Sequence, residues 1–368
     1  MPICSASVPL MNKWFTITIL LFTVIACVAF TDGCKKNSAA YYKPTVLKQE
    51  IPEGFPEPNY KFENNPLTQE GFELGRKLFY DGKLSKDGNF PCASCHQQFA
   101  AFSTYDHNFS HGFNNGLTTR NAPGLWNLAW QKEFHLDGGI NHLEVQPLAP
   151  LTAPNEMAET LENIIHKLKQ DTSYKRMFRR AFGTEEINSQ RMLKALAQFT
   201  GSLISADSKY DRYKKGLAEF TPYEERGYQL FKAKCAGCHS EPLFTDLSYR
   251  NIGLPEYPGV HDKGRMKVTG NTADSLKFKV PSLRNVAVTP PYMHDGRISS
   301  LRGCLEHYNS KIVQSPTLDP LLTNGILLDR YQMIDLVAFL RTLTDTLFLK
   351  NPRFADPEQK PVFSPDKH

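Results

Sequence analysis

Two five-residue strings hold the densest chemistry in the sequence: Cys92-Ala93-Ser94-Cys95-His96 and Cys235-Ala236-Gly237-Cys238-His239. Two thiols three positions apart can add to the two vinyl groups of one haem, and the adjacent imidazole is then aimed at the iron. A C-x-x-C redox pair or a zinc site would also use the thiols, but neither needs a following His in both copies. The strings therefore predict two covalently bound haem c groups. Cys92, Cys95, Cys235 and Cys238 would attach them, and His96 and His239 would ligate iron from the proximal side.

Function then turns on the sixth position of each iron. Two strong protein ligands make an electron carrier, whereas an open or displaceable position admits peroxide. After the first string, His107 and His111 lie in a polar, Gly-rich loop that runs to Arg120-Asn121-Ala122-Pro123. Either could cap the first iron, although a loop His taken alone more often faces solvent. After the second string, Ser300, Leu301, Cys304, Leu305 and Tyr308 share one helical face at i, i+3, i+4, i+7 spacing. That face is either an ordinary core stripe or the wall that meets the haem.

The elements that must position these groups repeat. Leu67-Thr68-Gln69-Glu70 opens a run to Phe79, and Phe220-Thr221-Pro222-Tyr223-Glu224 opens one to Phe231. Each has Thr as N-cap, Glu in the first turn and bulky apolar residues at helical spacing. Each leads into a Cys-x-x-Cys-His string, so the unit recurs about 143 residues further on. Helices are expected over 67–80, 156–169, 173–182, 187–205, 221–234, 299–308 and 329–346, with few strand signals. On that basis Asn155-Glu156 would serve as cap and first-turn acid of the second helix. Met333 in the last helix is a rival haem ligand on residue type, but its spacing suits the core.

The chain has 368 residues, 43 Lys+Arg against 38 Asp+Glu, 40% hydrophobic and 22% charged residues. This excludes disorder, collagen and a multi-span membrane protein. The mild excess of +5 comes with no long Lys/Arg run, so no nucleic-acid partner is expected. Twenty-five Pro and 23 Gly spread along the chain imply long ordered loops. From Lys13 an uncharged apolar run, Trp14 to Ala26, leads to a polar turn at Thr31-Asp32, the pattern of an export signal. Cys27 and Cys34 are alternative lipidation points, which implies a lipid anchor on the periplasmic side of a bacterial membrane. The division expected is a signal at 1–34, a tether at 35–60, haem domains at 61–215 and 216–350, and a tail at 351–368.

At these residues the sequence strongly resembles the bacterial dihaem cytochrome c peroxidase and MauG family, from Asn65 to about Asp345. The likeness includes both haem strings, Arg120-Asn121-Ala122-Pro123, the segment from Asp137-Gly138-Gly139 to Glu156-Met157, and Pro291-Tyr292-Met293-His294-Asp295-Gly296. The resemblance implies a mainly α fold of two cytochrome c-like domains, each with one covalently bound c-type haem. Peroxide would react at the N-terminal haem, and the C-terminal haem would pass electrons. It also implies a distal group of Gln146 and Glu156, with Pro150 beside them. Splitting O–O heterolytically needs a group that moves a proton between the oxygens and a donor that holds the peroxide, roles that suit Glu156 and Gln146.

By the same resemblance Asn121, Thr289 and Pro291 would bind one interdomain calcium ion, the last two through backbone oxygens. Tyr308 falls where peroxidases carry the Met that ligates the C-terminal haem, and MauG-like members carry Tyr there. His111 falls where peroxidases carry a displaceable resting-state ligand of the first iron. Leu136 replaces the family's usual inter-haem Trp. The activity implied is reduction of hydrogen peroxide to water with electrons from a small c-type cytochrome or copper protein. The alternatives are a MauG-like oxidase of a partner protein's residues and a non-catalytic dihaem electron carrier. Family habit also suggests a homodimer.

Overall fold

A computed structural model of the chain describes residues 42–358. The export segment with Cys27 and Cys34, the first residues of the tether (35–41) and residues 359–368 lie outside that range. The description that follows concerns the compact unit that begins at Pro44. No helix among the described residues is long and apolar enough to cross a membrane.

Among the described residues, eight helices of six residues or more carry the fold: α1 (Gln69–Tyr80), α2 (Leu161–Gln170), α3 (Thr172–Phe182), α4 (Ser189–Thr200), α5 (Lys209–Lys214), α6 (Pro222–Lys234), α7 (Leu301–Ser310) and α8 (Arg330–Arg341). The only ladder among them pairs β1 (Tyr249–Arg250) with β2 (Phe278–Lys279), antiparallel. The fold is mainly α, as expected.

The repeat seen in sequence is built twice in space. Thr68 Oγ1 accepts from Gly71 N at the start of α1, and Thr221 Oγ1 accepts from Glu224 N at the start of α6. Helix α1 then packs on α4, and α6 on α8. Both crossings need glycine. A Cβ on Gly75 would lie 1.9 Å from the Ala195 carbonyl oxygen, and one on Gly227 would lie 2.0 Å from that of Asp335. Around each crossing closes a separate apolar cluster. The first gathers Phe72, Phe79, Phe102, Phe199 and Trp126, and the second Tyr228, Phe231, Phe244, Leu336 and Phe339. Tyr210 of α5 joins the second cluster, while Phe348 and Phe354 return to the first.

Three expected boundaries move, each for a local reason. Helix α2 starts at Leu161 because Thr160 caps it, its side chain accepting from Asn163 N. Glu156 therefore precedes the helix in a turn and is not its first-turn acid. Helix α4 ends at Thr200, so 201–205 is irregular. Helix α8 ends at Arg341, and Asp345 caps a separate short helix, Thr346–Lys350, through Phe348 N. Asp345 Oδ2 also accepts from Ser205 Oγ, Ala206 N and Asp207 N, which fixes both chain breaks at once.

Candidate haem sites

Each Cys-x-x-Cys-His string forms one turn closed by a backbone hydrogen bond, His96 N to Cys92 O (3.0 Å) and His239 N to Cys235 O (2.9 Å). The turn puts both thiols and the imidazole on one side. Cys92, Cys95, Cys235, Cys238 and Cys304 are all free thiols. Burial pushes the Cys92 and Cys235 thiols up to about 12. His96 Nδ1 lies 2.9 Å from Phe102 O. His239 Nδ1 lies 3.2 Å from Phe244 O and 3.1 Å from Pro281 O. A carbonyl at Nδ1 fixes the tautomer with the proton there and leaves Nε2 as a lone-pair donor. Burial also holds both imidazoles below the ordinary His range, and hence neutral.

One cavity of about 1030 Å³ is lined by Cys95, His96, Cys235, Cys238 and His239. A single small-molecule site usually occupies roughly 300–1,000 Å³, so this space lies at the upper end of that range. Free paired thiols, neutral imidazoles with one nitrogen committed, and mainly apolar walls fit two covalent haems.

The other sequence candidates divide sharply. Gln146, Pro150 and Glu156 line the cavity, as do Tyr308, Cys304, Leu136, Asn121, Thr289 and Pro291. Burial raises the Glu156 carboxyl above the usual carboxylate range and likewise raises the Tyr308 phenol, which has Cys304, Cys238 and Cys235 as neighbours. Asn121 joins three segments: its Nδ2 donates to His107 O (3.1 Å) and Asn108 O (3.2 Å), and its backbone N to His294 O (2.9 Å). His111, by contrast, is exposed, pairs in a bridge with Leu117 and lies outside the cavity lining. Its ring packs edge-on against exposed His107, 5.3 Å between centroids. Met333 packs with the second apolar cluster.

Sequence reasoning missed a second repeat, on the other side of the cavity. Pro123-Gly124-Leu125-Trp126-Asn127 matches Pro281-Ser282-Leu283-Arg284-Asn285 at an offset of 158 positions. Asn127 and Asn285 both turn left-handed, φ 56° and 59°. Their backbone nitrogens donate to Leu203 O and Leu343 O, and their Oδ1 atoms accept from Ser205 N and Asp345 N. At the same offset, bridges Phe134 to Ile140 and Tyr292 to Ile298 frame two Asp-Gly turns. His142 and Ser300 then cap the following helical segments. The match sets Gln146 opposite Cys304, and Pro150 opposite Tyr308. The Asp-Gly pairs, read against each other, were the signal that could have found it.

Also unforeseen is a charged lattice across the junction. Arg120 binds Asp262 (2.8 Å) and Asp137 (2.7 Å). Lys279 Nζ donates to Gln131 Oε1 and Glu133 O, both at 2.6 Å, and burial pushes it down to about 8. Lys279 N donates to Leu136 O at 2.7 Å.

A helical chain that brings Cys95, His96, Cys235, Cys238 and His239 to one cavity, with Cys92 packed on the first apolar cluster beside it, has the architecture of a two-centre c-type cytochrome. The family model "Di-haem cytochrome c peroxidase" matches residues 69–219, and the model "Cytochrome c" matches 224–344. The methylamine utilization protein MauG of Methylorubrum extorquens is 37% identical over 336 residues, covering 86% of this chain and 88% of that protein. The cytochrome c551 peroxidase of Nitrosomonas europaea is 34% identical, covering 76% and 81%. A solved MauG-like protein associated with microbial copper homeostasis superposes with a TM-score of 0.77 at 33% identity, covering 85% of this chain and all of that one. The chain belongs to the dihaem cytochrome c peroxidase and MauG family, whose members are haem-dependent oxidoreductases.

Proposed function

We propose that the chain reduces hydrogen peroxide to water at the first haem site, with electrons delivered through the second by a small cytochrome or copper protein. The observation that carries this is the asymmetry of the distal walls: Pro150, which has no side-chain donor for iron, stands where the other half has Tyr308. In this proposal Cys92, Cys95 and His96 hold the first haem, and Cys235, Cys238, His239 and Tyr308 the second. His111, on its exposed loop, lies outside the ligand set in this conformation. When bound, the haem supplies the redox chemistry at the peroxide. Gln146 donates a hydrogen bond that orients the substrate. Glu156, kept protonatable by its buried position, takes a proton from one oxygen and returns it to the other. The balance is one peroxide, two protons and two electrons to two waters.

Asn121 with the Thr289 and Pro291 carbonyls would hold calcium at the junction. Export, lipidation at Cys27 or Cys34, a periplasmic location and dimerisation belong to the same proposal. The test is to add peroxide to the mixed-valence holoprotein with a reduced small cytochrome present. A Soret change at the first haem and two cytochromes oxidised per peroxide are expected; no Soret change would leave a bare carrier. Tyr308 favours a second reading, a MauG-like oxidase of a partner protein, because a phenolate stabilises ferric and higher states. That reading gains if peroxide yields a persistent oxidised state without cytochrome turnover. Tyr308→Phe should alter the spectrum of the second haem, and an unchanged spectrum would remove the ligand assignment.

A further inference from the structure

Among the described residues, Trp126 alone joins the two halves through an indole hydrogen bond. Its indole is buried, lines the cavity shared by both Cys-x-x-Cys-His strings, and folds back over Gly124. Its Nε1–H points across the junction to Ser282 Oγ, 3.4 Å away. The Ser282 hydroxyl donates in turn to Leu243 O at 2.6 Å, which leaves an oxygen lone pair for the indole.

Both ends of this contact run to a proximal imidazole. On one side Gly124 follows Pro123, whose backbone faces the His96 imidazole. On the other side Ser282 follows Pro281, whose carbonyl lies 3.1 Å from His239 Nδ1. A short track of contacts therefore runs from His96 through Pro123 and Gly124 to Trp126, then through Ser282 and Pro281 to His239. The alternatives are poorer. Leu136 touches the second half through its backbone carbonyl but has no oxidisable side chain. Trp130 commits its Nε1–H to Pro56 O at 2.7 Å, within the first half. Arg284, at the position equivalent to Trp126, is a guanidinium paired with Asp211 and turned into the second half.

We propose that Trp126 is the electron relay between the two haem sites. When the first site has been oxidised by peroxide, Trp126 gives it one electron and recovers one from the second site. The indole returns to its starting state, and one electron has moved from second site to first. No carboxylate touches Nε1; Ser282 Oγ accepts the hydrogen bond and keeps its own proton on Leu243 O. The proton thus stays on Nε1 while the ring carries the positive charge, which the Ser282 oxygen stabilises. The relay rests on the peroxidase reading, because only a site oxidised by peroxide can take an electron from an indole.

The test adds peroxide to the dihaem holoprotein: a change at the first haem reports the proposed activity and the later change at the second reports the relay, so the two failures are distinguishable. Peroxide is mixed with the fully oxidised protein by stopped flow, and the change at the first haem and the redistribution to the second that follows are read at their distinct absorption bands. Trp126→Phe should slow redistribution by roughly tenfold or more, the equivalent of at least 1.4 kcal/mol on the barrier. Trp126→Tyr, which fills the same space with an oxidisable ring, should recover part of that loss, as a purely structural role would not require. A Trp126→Phe protein that carries both haems and equilibrates at the wild-type rate overturns the proposal. Should that variant fail to bind both haems, Ser282→Ala, which leaves the ring in place, decides: slower redistribution supports the relay, and the wild-type rate overturns it.

Discussion

The two halves of the molecule share a scaffold and differ in what it turns toward the cavity. Both use a Thr-capped helix, a glycine crossing, a Cys-x-x-Cys-His turn and a left-handed Asn that anchors a Pro-containing strap. Yet at matched positions the first half has Trp126, Gln146 and Pro150 where the second has Arg284, Cys304 and Tyr308. The shared features are backbone features, set by close approach and by left-handed turns, which tolerate little change. Of the differing residues, all but Arg284, which turns away to Asp211, line the cavity where haem would lie. One architecture can thus line one cavity with Trp126, Gln146 and Pro150 from one half and Cys304 and Tyr308 from the other, so that a few side chains set the two halves apart.

The largest effect that would test this contrast is at Glu156. Glu156→Gln keeps the shape of the distal wall but cannot move a proton, so the reaction of peroxide at the first haem should slow by about 10²–10⁴-fold. Stopped-flow Soret changes measure it; a wild-type rate would mean that the polar wall of the first half is not its active face. Next comes the buried pair that occupies the relay position in the second half. Arg284 is fully buried and binds Asp211 through two hydrogen bonds, 2.9 and 2.8 Å. Asp211→Asn strands the guanidinium and should cost about 3–5 kcal/mol in urea unfolding at neutral pH.

That second loss should depend on pH in one direction. Burial alone would raise the Asp211 carboxyl, but the Arg284 guanidinium outweighs it and holds Asp211 below the usual carboxylate range. Its stabilisation is therefore complete above the unfolded value, about 3.9, and disappears as pH falls through the lower folded value. Wild type and Asp211→Asn should converge in stability at acid pH. A gap that persists there would place the cost elsewhere than in the charge.

Much of the scaffold was legible because it is written in short-range chemistry. Thr68 and Thr221, the apolar spacing behind them and the two Cys-x-x-Cys-His strings each act within a turn or two, so their meaning survives without tertiary context. The cavity-lining places of Gln146, Pro150, Glu156 and Tyr308 came from family resemblance, since nothing in their spacing brings 146 and 156 to the space that 308 enters. Glu156 misled by pattern: an acid before an apolar run reads as a helix start, but Thr160 supplies the cap and frees Glu156 to face the cavity. The link from Trp126 to Ser282 spans 156 residues, and the Arg120 lattice joins positions as far apart as 142. Such contacts exist only once both halves have folded against each other, which is why sequence periodicity carries no trace of them.

The smallest predicted effect separates the two halves at their matched helix starts. Thr221 is exposed, and its cap is completed locally: Glu224 Oε2 accepts from Thr221 N at 2.7 Å while Thr221 Oγ1 accepts from Glu224 N. Thr68 is 4% exposed, and its backbone N donates instead to Gln198 Oε1 of α4 at 2.9 Å. Loss of an N-cap hydroxyl typically costs about 0.5–2 kcal/mol. Thr221→Ala should fall near the lower end, because water can replace the hydroxyl at Glu224 N. Thr68→Ala should fall near the upper end, because Gly71 N is left without its partner in a buried setting. Urea midpoints of the two variants under one condition measure the difference, and equal costs would show that the tertiary bond from Gln198 does not set the two starts apart.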